Sequence, residues 1–166
     1  MGIPVPSIGC QPGQATITMS LDAVKAPCAV DSMIHLAGRF YFDGAECHRL
    51  TAPTALKVLQ CGDPTGSGRG GPGYHFADEN LTGVHYTRGT VATANSGPDT
   101  NSSQLLIVCG YCDLAPNYTV LGHVTSGLDI IDDIAEAGVA VDSGLDTTDG
   151  RPRKSLTIER FHITSG

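Results

Sequence analysis

The 166-residue sequence predicts a mainly β domain, an antiparallel barrel with helices covering its ends. Three observations support this fold class. Several stretches alternate apolar and polar residues with period two, which indicates half-buried strands. Only two stretches have helical periodicity. The 21 glycines and 10 prolines make the chain rich in turns, which favours many short strands over long helices.

The first predicted strand covers residues 15–21, where Ile17, Met19 and Leu21 alternate with polar residues. Gly, Pro, Asn and Asp turns separate it from the later strands. Four further alternating runs lie at residues 88–95, 104–109, 119–124 and 156–164. Residues 46–50 are also strand-like, and residues 58–60 lead into a glycine-rich stretch.

Two helices are predicted. The first follows Pro27, and the second covers residues 128–137 and ends at Gly138. Each places its apolar side chains on one face. These side chains are Val30, Met33, Ile34 and Ala37 in the first helix and Ile130, Ile131 and Ile134 in the second.

Chain length predicts one domain at residues 15–166, preceded by a Pro/Gly-rich lead or linker remnant at residues 1–14. The opening sequence lacks the basic and apolar regions of a signal peptide, and no apolar run approaches the ~20 residues that span a bilayer. A cytoplasmic protein is therefore expected. The alternative is an extracytoplasmic domain of a longer anchored protein. A net charge of −7 argues against nucleic acid as a partner.

The sequence GSGRGG at residues 66–71 satisfies G-x-G-x-x-G, a spacing that binds pyrophosphate when a helix follows at once. Here Pro72 and Gly73 follow, and both disfavour a helix. A nucleotide site is therefore rejected, and these glycines need another explanation.

Six cysteines are too scattered for a small disulfide scaffold, so most are expected to be buried thiols. Cys109 and Cys112 form a C-x-x-C pair, which is typical of redox sites and of half a zinc site. No second ligand pair of zinc-binding spacing exists, and no helix is indicated at Cys109. A redox or metal role is therefore the weaker interpretation.

Several polar segments are not required by a plain barrel. Arg49 lies in a strand-like stretch between apolar residues, and a long polar stretch at 93–104 separates two apolar strands. Singly these features indicate a solvated strand edge and a turn. They form one ordered set with further motifs: YFDG (41–44), HR (48–49), QCGDPT (60–65), GRGGPGYHF (68–76), DEN (78–80), RGT (88–90), AN (94–95), NSSQ (101–104) and VLG (120–122).

This ordered set resembles the cyclophilin family of peptidyl-prolyl isomerases over about residues 15–164. It is most similar to a divergent bacterial, actinobacterial-like subgroup with H-R-L-T and V-L-Q-C-G-D signatures, here residues 48–51 and 58–63. The resemblance implies a closed eight-stranded antiparallel β-barrel capped by two α-helices, in agreement with the pattern. It also implies that the glycines shape an ordered surface loop beside a peptide groove.

By resemblance, the protein catalyses rotation about X-Pro peptide bonds and assists protein folding. Its partners would be X-Pro-containing peptides and unfolded proteins, and it would act as a monomer without metal or cofactor. Arg49 would donate to the prolyl nitrogen, Gln60 would hold the substrate carbonyl or Arg49, and Asn95 would bind substrate through its backbone. The other substrate-binding positions are His48, Lys57, Val58, Ala94, Gln104, Leu106, Leu114 and Tyr118. Of these, His48 and Tyr118 are expected at the groove edge.

The departures from the family pattern concentrate in the proline pocket. Lys57, Leu106 and Val58 occupy positions where most relatives carry two phenylalanines and a methionine. The assignment of Lys57 depends on where a three-residue insertion between His48 and Gln60 lies. No tryptophan is present, and Asp113 precedes Leu114 where many relatives have one. Activity lower than that of common relatives and weak cyclosporin binding are therefore expected.

Two rival functions remain open at this stage. A cyclophilin-like module that docks Pro-containing segments without isomerising them would also explain the altered pocket. A regulatory thiol pair at Cys109 and Cys112 on the same barrel is the other alternative.

Overall fold

One antiparallel sheet of eight strands dominates the computed structural model, which describes residues 3–5, 15–52, 56–141 and 148–164. The strands run in the spatial order β1-β2-β7-β5-β6-β4-β3-β8. They are β1 (Ile3–Val5), β2 (Thr18–Leu21), β3 (Arg49–Thr51), β4 (Leu56–Cys61), β5 (Thr90–Thr93), β6 (Leu105–Cys112), β7 (Val120–Ser126) and β8 (Asp149–Gly150).

The two faces of the central strands bury different clusters, because side chains alternate along a strand. On β6, Leu105 and Ile107 belong to the main core, whereas Leu106 and Val108 belong to a smaller cluster on the opposite face. On β4, Leu59 faces the main core and Val58 the smaller cluster. We call the smaller one the outer cluster; its buried members are Val58, Tyr86, Ala92, Leu106 and Val108.

Both predicted helices are present. Helix α1 (Pro27–Ala37) begins with proline at its first turn, a position that needs no backbone donor. The Glu79 carboxylate accepts from the backbone N–H groups of Cys28 and Ala29 and so caps this helix from a distant loop. Helix α2 (Leu128–Ala137) ends at Gly138, as expected, and its Ile131 and Ile134 are fully buried. Ile34 of α1 departs from expectation, because 40% of it is exposed.

The strand predicted at residues 156–164 is wrong. This segment has no regular ladder; it makes an isolated bridge between Thr157 and Glu46 and backbone bonds to residues 44–47. Leu156, Ile158 and Phe161 are nevertheless buried in the main core. The alternating pattern therefore predicted the buried side chains of this segment correctly. No strand forms, because the backbone of the segment pairs with residues 44–47 only through an isolated bridge and a few hydrogen bonds.

Most cysteines were expected to be buried thiols, and this is wrong for Cys47 and Cys61, which are bonded, and for Cys28, which is exposed. Cys47, just before β3, and Cys61, at the end of β4, form a disulfide with Cα atoms 4.0 Å apart. Cys28, Cys109 and Cys112 are free, and Cys10 lies outside the described residues. The pairing was hidden because thirteen residues separate the two cysteines in sequence, and only the β3–β4 hairpin brings them together.

Two predictions concern the edges of the sheet: the lead at residues 1–14 and the closure of the barrel. Residues 3–5 of the predicted lead form β1, which pairs with β2, and the rest of residues 1–14 lies outside the described residues. In the described ranges no ladder joins the edge strands β1 and β8, so closure of the barrel stays a prediction. Of the helices described, none has the length and apolar character needed to cross a membrane.

Candidate active site

Arg49 and Gln60 lie directly opposite each other on the antiparallel pair β3 and β4. Arg49 Nη1 donates to Gln60 Oε1 at 3.2 Å. On its other side the guanidinium is held by Asp149, with Nε donating to Oδ1 at 2.8 Å and Nη2 to Oδ2 at 2.7 Å. These bonds from Asp149 raise the pKa of Arg49 further above its ordinary value, so the group stays protonated. A fixed, partly exposed cation results.

A line of amide side chains continues from Arg49 into the sheet. Gln60 Nε2 donates to Gln104 Oε1 at 2.7 Å, and both glutamines are buried. Gln104 Nε2 in turn donates to the backbone carbonyls of Gly68 and Gly70, at 3.1 and 2.9 Å. Each amide therefore uses its oxygen and its nitrogen on different partners, which fixes its orientation. Of the two predicted roles of Gln60, holding Arg49 is the one seen here.

The glycine loop, residues 62–73, is built around Asp63. Its buried carboxylate accepts from Thr65 N–H and Oγ1, from Ser67 Oγ and from Gly70 N–H. A Cβ at Gly70 would overlap Asp63 Oδ1, and Gly68 has φ of +75°, so glycine is required at both positions. The loop thus presents two carbonyls to Gln104. This explains the glycines without a phosphate.

A cavity of about 140 Å³ lies between the glycine loop and the polar turn after β5. Gln60, Gln104, Ala94 and Asn95 are among its lining residues. The backbone N–H of Ala94 donates to Gln104 O at 2.8 Å, and Asn95 Nδ2 donates to Asn117 O at 2.7 Å. The Asn95 side chain is thereby turned toward Asn117, and this bond fixes the side of the cavity that Asn95 lines.

Next to Gln60 the outer cluster forms an apolar surface. Val58 lies two residues before Gln60 on β4 and therefore on the same face of the sheet. Leu106 belongs to the cluster, and Ala94, Leu114 and Tyr118 pack against it. These five positions were expected to bind substrate, and the fold brings them together beside the Arg49–Gln60 pair.

Tyr86 supports Tyr118 in the outer cluster. Its hydroxyl donates to Tyr118 O at 2.8 Å and accepts from Tyr118 N–H at 2.9 Å. The two rings meet edge to face with centroids 6.2 Å apart. Burial raises the pKa of the Tyr86 hydroxyl, so it remains a hydrogen-bond donor.

Lys57, which was expected in the proline pocket, does not lie with the outer cluster. Side chains alternate along β4, so Leu56 and Val58 face the outer cluster and Lys57 points away from it. Lys57 instead packs over Gly110 and lines a separate cavity of about 260 Å³ with Cys109 and residues of α2. Lys57 is therefore separated from the other positions that were expected to form the proline pocket.

His48 also departs from its expected place at the groove edge. Only 7% of it is exposed, and its ring lies against Gly68 of the glycine loop. Burial lowers the pKa of the imidazole, although the nearby Asp63 charge opposes the shift. His48 therefore packs beneath the loop.

The C-x-x-C cysteines lie on opposite faces of β6. Cys109 belongs to the main core and Cys112 packs against the outer cluster, since residues three apart on a strand face opposite ways. Burial raises the pKa of the Cys109 thiol to about 11 and also raises that of Cys112. Neither a disulfide between them nor an activated thiolate fits this arrangement.

In residues 15–52, 56–141 and 148–164, no group of three or more His, Cys, Asp and Glu side chains is arranged to hold a metal ion. The described site consists of a fixed cation, a buried amide line, a small polar cavity and an apolar surface. This combination can bind an extended peptide and donate a hydrogen bond to it without forming a covalent bond.

Comparison with known families identifies the domain. The family model for the cyclophilin type peptidyl-prolyl cis-trans isomerase/CLD matches residues 8–163. The chain belongs to the cyclophilin-type peptidyl-prolyl cis-trans isomerase family. This confirms the resemblance found in the sequence motifs.

Two curated mycobacterial peptidyl-prolyl cis-trans isomerases are similar to this chain. The probable peptidyl-prolyl cis-trans isomerase B of Mycobacterium tuberculosis is 44% identical over 165 residues, which cover 92% of this chain and 52% of that protein. The protein of the same description from Mycobacterium leprae is 44% identical over 163 residues, covering 90% and 54%. The chain therefore spans about half the length of these relatives. An actinobacterial-like subgroup is consistent with both.

Solved cyclophilins share the fold. A cyclophilin type isomerase of Cryptosporidium parvum superposes with a TM-score of 0.79 at 24% identity, covering 100% of this chain and 99% of that one. A second crystal structure of it, obtained in the presence of the dipeptide Ala-Pro, has a TM-score of 0.76 at 23% identity and covers 100% of both chains. A mainly β cyclophilin fold with two helices is thus confirmed.

Sequence reasoning missed three features of this site: Asp149, Tyr86 and the Cys47–Cys61 disulfide. Asp149 precedes a glycine, and Asp-Gly ordinarily indicates a turn, so nothing marked it as a partner of Arg49. Tyr86 lies outside every alternating run. Asp63 was part of a recognised motif, but its place at the centre of the glycine loop depends on contacts up to seven residues away.

Proposed function

We propose that this chain catalyses cis–trans isomerisation of X-Pro peptide bonds, with Arg49 as the central catalytic residue. The observation that carries the proposal is the guanidinium of Arg49, held between Asp149 and Gln60 beside the apolar outer cluster. The mycobacterial relatives, 44% identical, are described as isomerases, which supports the same activity here.

The mechanism follows from the electronic structure of the prolyl bond. Partial double-bond character makes its rotation barrier ~18–20 kcal/mol. Twisting the bond takes the nitrogen out of conjugation and leaves a lone pair on it. A hydrogen bond from the Arg49 guanidinium to this nitrogen stabilises the twisted state more than either planar isomer, which is the condition for catalysis. Neither a nucleophile nor a cofactor is required, because no covalent bond forms or breaks.

Arg49 alone does not supply the whole effect. A ten-thousandfold acceleration needs about 5.4 kcal/mol, whereas a hydrogen bond to a charged group contributes ~1.5–3 kcal/mol. The remainder comes from holding the peptide and excluding water. We assign the prolyl ring to Val58, Leu106, Leu114 and Tyr118. Asn95, through its backbone, and Ala94 with Gln104 hold the preceding residues at the 140 Å³ cavity.

The test compares Arg49→Ala with Arg88→Ala in a cis-to-trans assay on an Ala-Pro tetrapeptide. Arg88 makes a similar two-bond contact with Asp132 away from the site, so its loss controls for the removal of a surface arginine. We expect Arg49→Ala to lower kcat/KM at least tenfold and Arg88→Ala to change it less than twofold. Both variants should keep the thermal transition of the wild type. Equal turnover by folded wild type and Arg49→Ala would remove Arg49 from the mechanism.

The second candidate is a module that binds Pro-containing segments without isomerising them. The aliphatic proline pocket favours it, because Val58 and Leu106 offer less contact area than the aromatic residues of common relatives. For the same reason we propose a rate below that of those relatives. The same assay separates the two functions: acceleration at catalytic concentration indicates an enzyme, whereas peptide line broadening in NMR without acceleration indicates a binding module.

We further propose that X-Pro peptides and unfolded chains are the partners, that cyclosporin binds only weakly, and that the domain is monomeric. A net charge of −7, which makes copies of the chain repel one another, supports the monomer. It also argues against nucleic acid as a partner. Weak cyclosporin binding rests on the lack of tryptophan and on exposed Asp113 before Leu114.

For localisation we propose the extracytoplasmic alternative over the cytoplasmic one. The Cys47–Cys61 disulfide supports it, because disulfides persist mainly in oxidising compartments. We also propose that the sheet closes into the eight-stranded barrel. The likeness to a solved cyclophilin over the whole chain supports closure.

A further inference from the structure

We propose that Asp149 is a positioning residue for Arg49: its carboxylate fixes the plane of the guanidinium so that a remaining N–H donor faces the prolyl nitrogen. The proposal rests on the proposed isomerase function and adds to it a residue that no motif of the sequence indicated. Strand register, the geometry of the arginine fork and the exposure of the pair support it.

Strand register brings the two residues together. In the β3–β8 ladder, Leu50 pairs with Gly150 and Thr51 pairs with Asp149. Arg49 is therefore the diagonal neighbour of Asp149, on the same face and two positions along β3. Diagonal neighbours of an antiparallel pair are within reach of a long side chain such as arginine. The short strand β8 thus holds Asp149 at a defined position beside Arg49.

The arginine fork is divided between two partners. Asp149 accepts from Nε at 2.8 Å and from Nη2 at 2.7 Å, and Gln60 accepts from Nη1 at 3.2 Å. These bonds use three of the five N–H donors of a guanidinium. One donor of Nη1 and one of Nη2 are not used by these two partners. Three bonds from two strands therefore fix the plane of the guanidinium.

A carboxylate next to a catalytic cation has two opposing effects. Asp149 partly neutralises the positive charge that Arg49 presents to the lone pair of the twisted prolyl nitrogen. It also restricts the rotamers of the long Arg49 side chain. A hydrogen bond to a twisted nitrogen needs correct direction, and misplacement of about 1 Å lowers catalytic rates strongly. We therefore expect the fixed orientation to outweigh the lost charge, so that removal of Asp149 slows the reaction.

The pair is accessible to solvent, with 44% of the Arg49 side chain and 43% of the Asp149 side chain exposed. Exposed ion pairs contribute little to folding stability, and salt screens them. Replacement of Asp149 should consequently leave the fold intact. Added salt should weaken the wild-type contact.

The experiment measures kcat and KM of Asp149→Asn, which keeps the shape of the side chain and removes its charge. We expect kcat to fall about three- to tenfold with KM within twofold of wild type, because the lost contact acts on the twisted state. Asp132→Asn is the matched control, since Asp132 holds Arg88 through Nε and Nη2 in the same way. It should change neither parameter by more than twofold.

A double-mutant cycle shows whether Asp149 acts through Arg49. In the Arg49→Ala background, Asp149→Asn should have no further effect on the residual rate. About 0.5 M NaCl should lower kcat of the wild type toward that of Asp149→Asn and leave the variant unchanged. An equal loss in both backgrounds, an unchanged kcat in Asp149→Asn, or a faster variant would each overturn the positioning role.

A spectroscopic measurement separates this proposal from the isomerase function. The Arg49 Nε–H resonance in a ¹⁵N-labelled protein should be sharp in the wild type and should move and broaden in Asp149→Asn, with Arg88 Nε–H unchanged. If the wild type does not accelerate isomerisation but this resonance responds as expected, the isomerase proposal fails and the contact stands. If the wild type is active and the resonance is unaffected by Asp149→Asn, the positioning proposal fails alone.

Discussion

Asp63 is the residue on which the glycine loop depends. Burial by itself would raise the pKa of its carboxyl group, but donors from Thr65, Gly70 and Gly68 outweigh burial and hold the pKa at about 2, below the usual 3.8. A carboxyl group whose pKa is lowered by folding stabilises the protein at pH values above its unfolded pKa. That stability is lost as the pH falls through the folded value.

We therefore predict acid sensitivity that is specific to Asp63. Between pH 5 and 2 the free energy of unfolding of the wild type should fall by about 2 kcal/mol more than that of Asp63→Asn, since the shift from 3.8 to about 2 corresponds to that energy. Urea unfolding at several pH values in this interval measures the difference. A wild-type-to-variant difference that stays constant with pH would contradict the assignment of the shift to Asp63.

The β3–β4 hairpin is the element that builds the catalytic centre. Its register places Arg49 opposite Gln60, and the Cys47–Cys61 disulfide closes it just beyond this pair. At the other end of β4, its ladder with β6 shifts register between Leu56 and Val58. The disulfide thus holds the register of the two polar residues.

Removal of the disulfide should destabilise this hairpin. For a sequence separation of 14 residues, the chain-entropy model gives roughly 3 kcal/mol for the free energy of unfolding. We expect Cys47→Ala/Cys61→Ala to unfold at lower urea concentration than the wild type without reductant. With reductant present, the two proteins should unfold alike.

Cys28→Ala provides the control, because Cys28 is an exposed free thiol. Its stability should respond to reductant as the wild type does. If reductant leaves the wild type unchanged, the disulfide contributes no stability.

At the scale of the whole molecule, the groove is assembled from segments far apart in sequence. β3, β4, β6, the polar turn after β5 and the glycine loop each contribute side chains or carbonyls. Asp113 is exposed next to the outer cluster, beside Leu114. A large cyclic peptide would have to contact several of these segments together.

Cyclosporin tests the proposed groove as a whole. Loss of one indole hydrogen bond at ~1 kcal/mol and much of an aromatic contact at ~1.5–3 kcal/mol should weaken binding by roughly tens to a thousandfold. Inhibition is expected only at micromolar or higher concentration. Asp113→Trp should recover part of the affinity while changing small-peptide turnover less. Nanomolar inhibition of the wild type would show that Asp113 does not stand where the tryptophan of relatives does.

Local patterns in the sequence were sufficient for the fold class, both helices, four of the five alternating strands and the family. Period-two and helical periodicity report which side chains are buried, and Pro27 and Gly138 mark helix ends through backbone geometry. Arg49, Gln60 and Gln104 were identifiable because they stand in recognisable motifs. The segment at 156–164 shows the limit of this reasoning, since alternation indicates burial and a strand also needs a partner.

Tertiary structure decided what depends on register and on contacts between distant segments. The pairing of β4 with β6 placed Leu56 against the outer cluster and Lys57 on the opposite face. The packing of the glycine loop buried His48, and the opposite faces of β6 separated Cys109 from Cys112. Asp149 meets Arg49 across a hundred positions of sequence because β8 pairs with β3. A shift of one residue in a strand reverses the face of every side chain, and local sequence patterns do not specify which register two distant strands adopt.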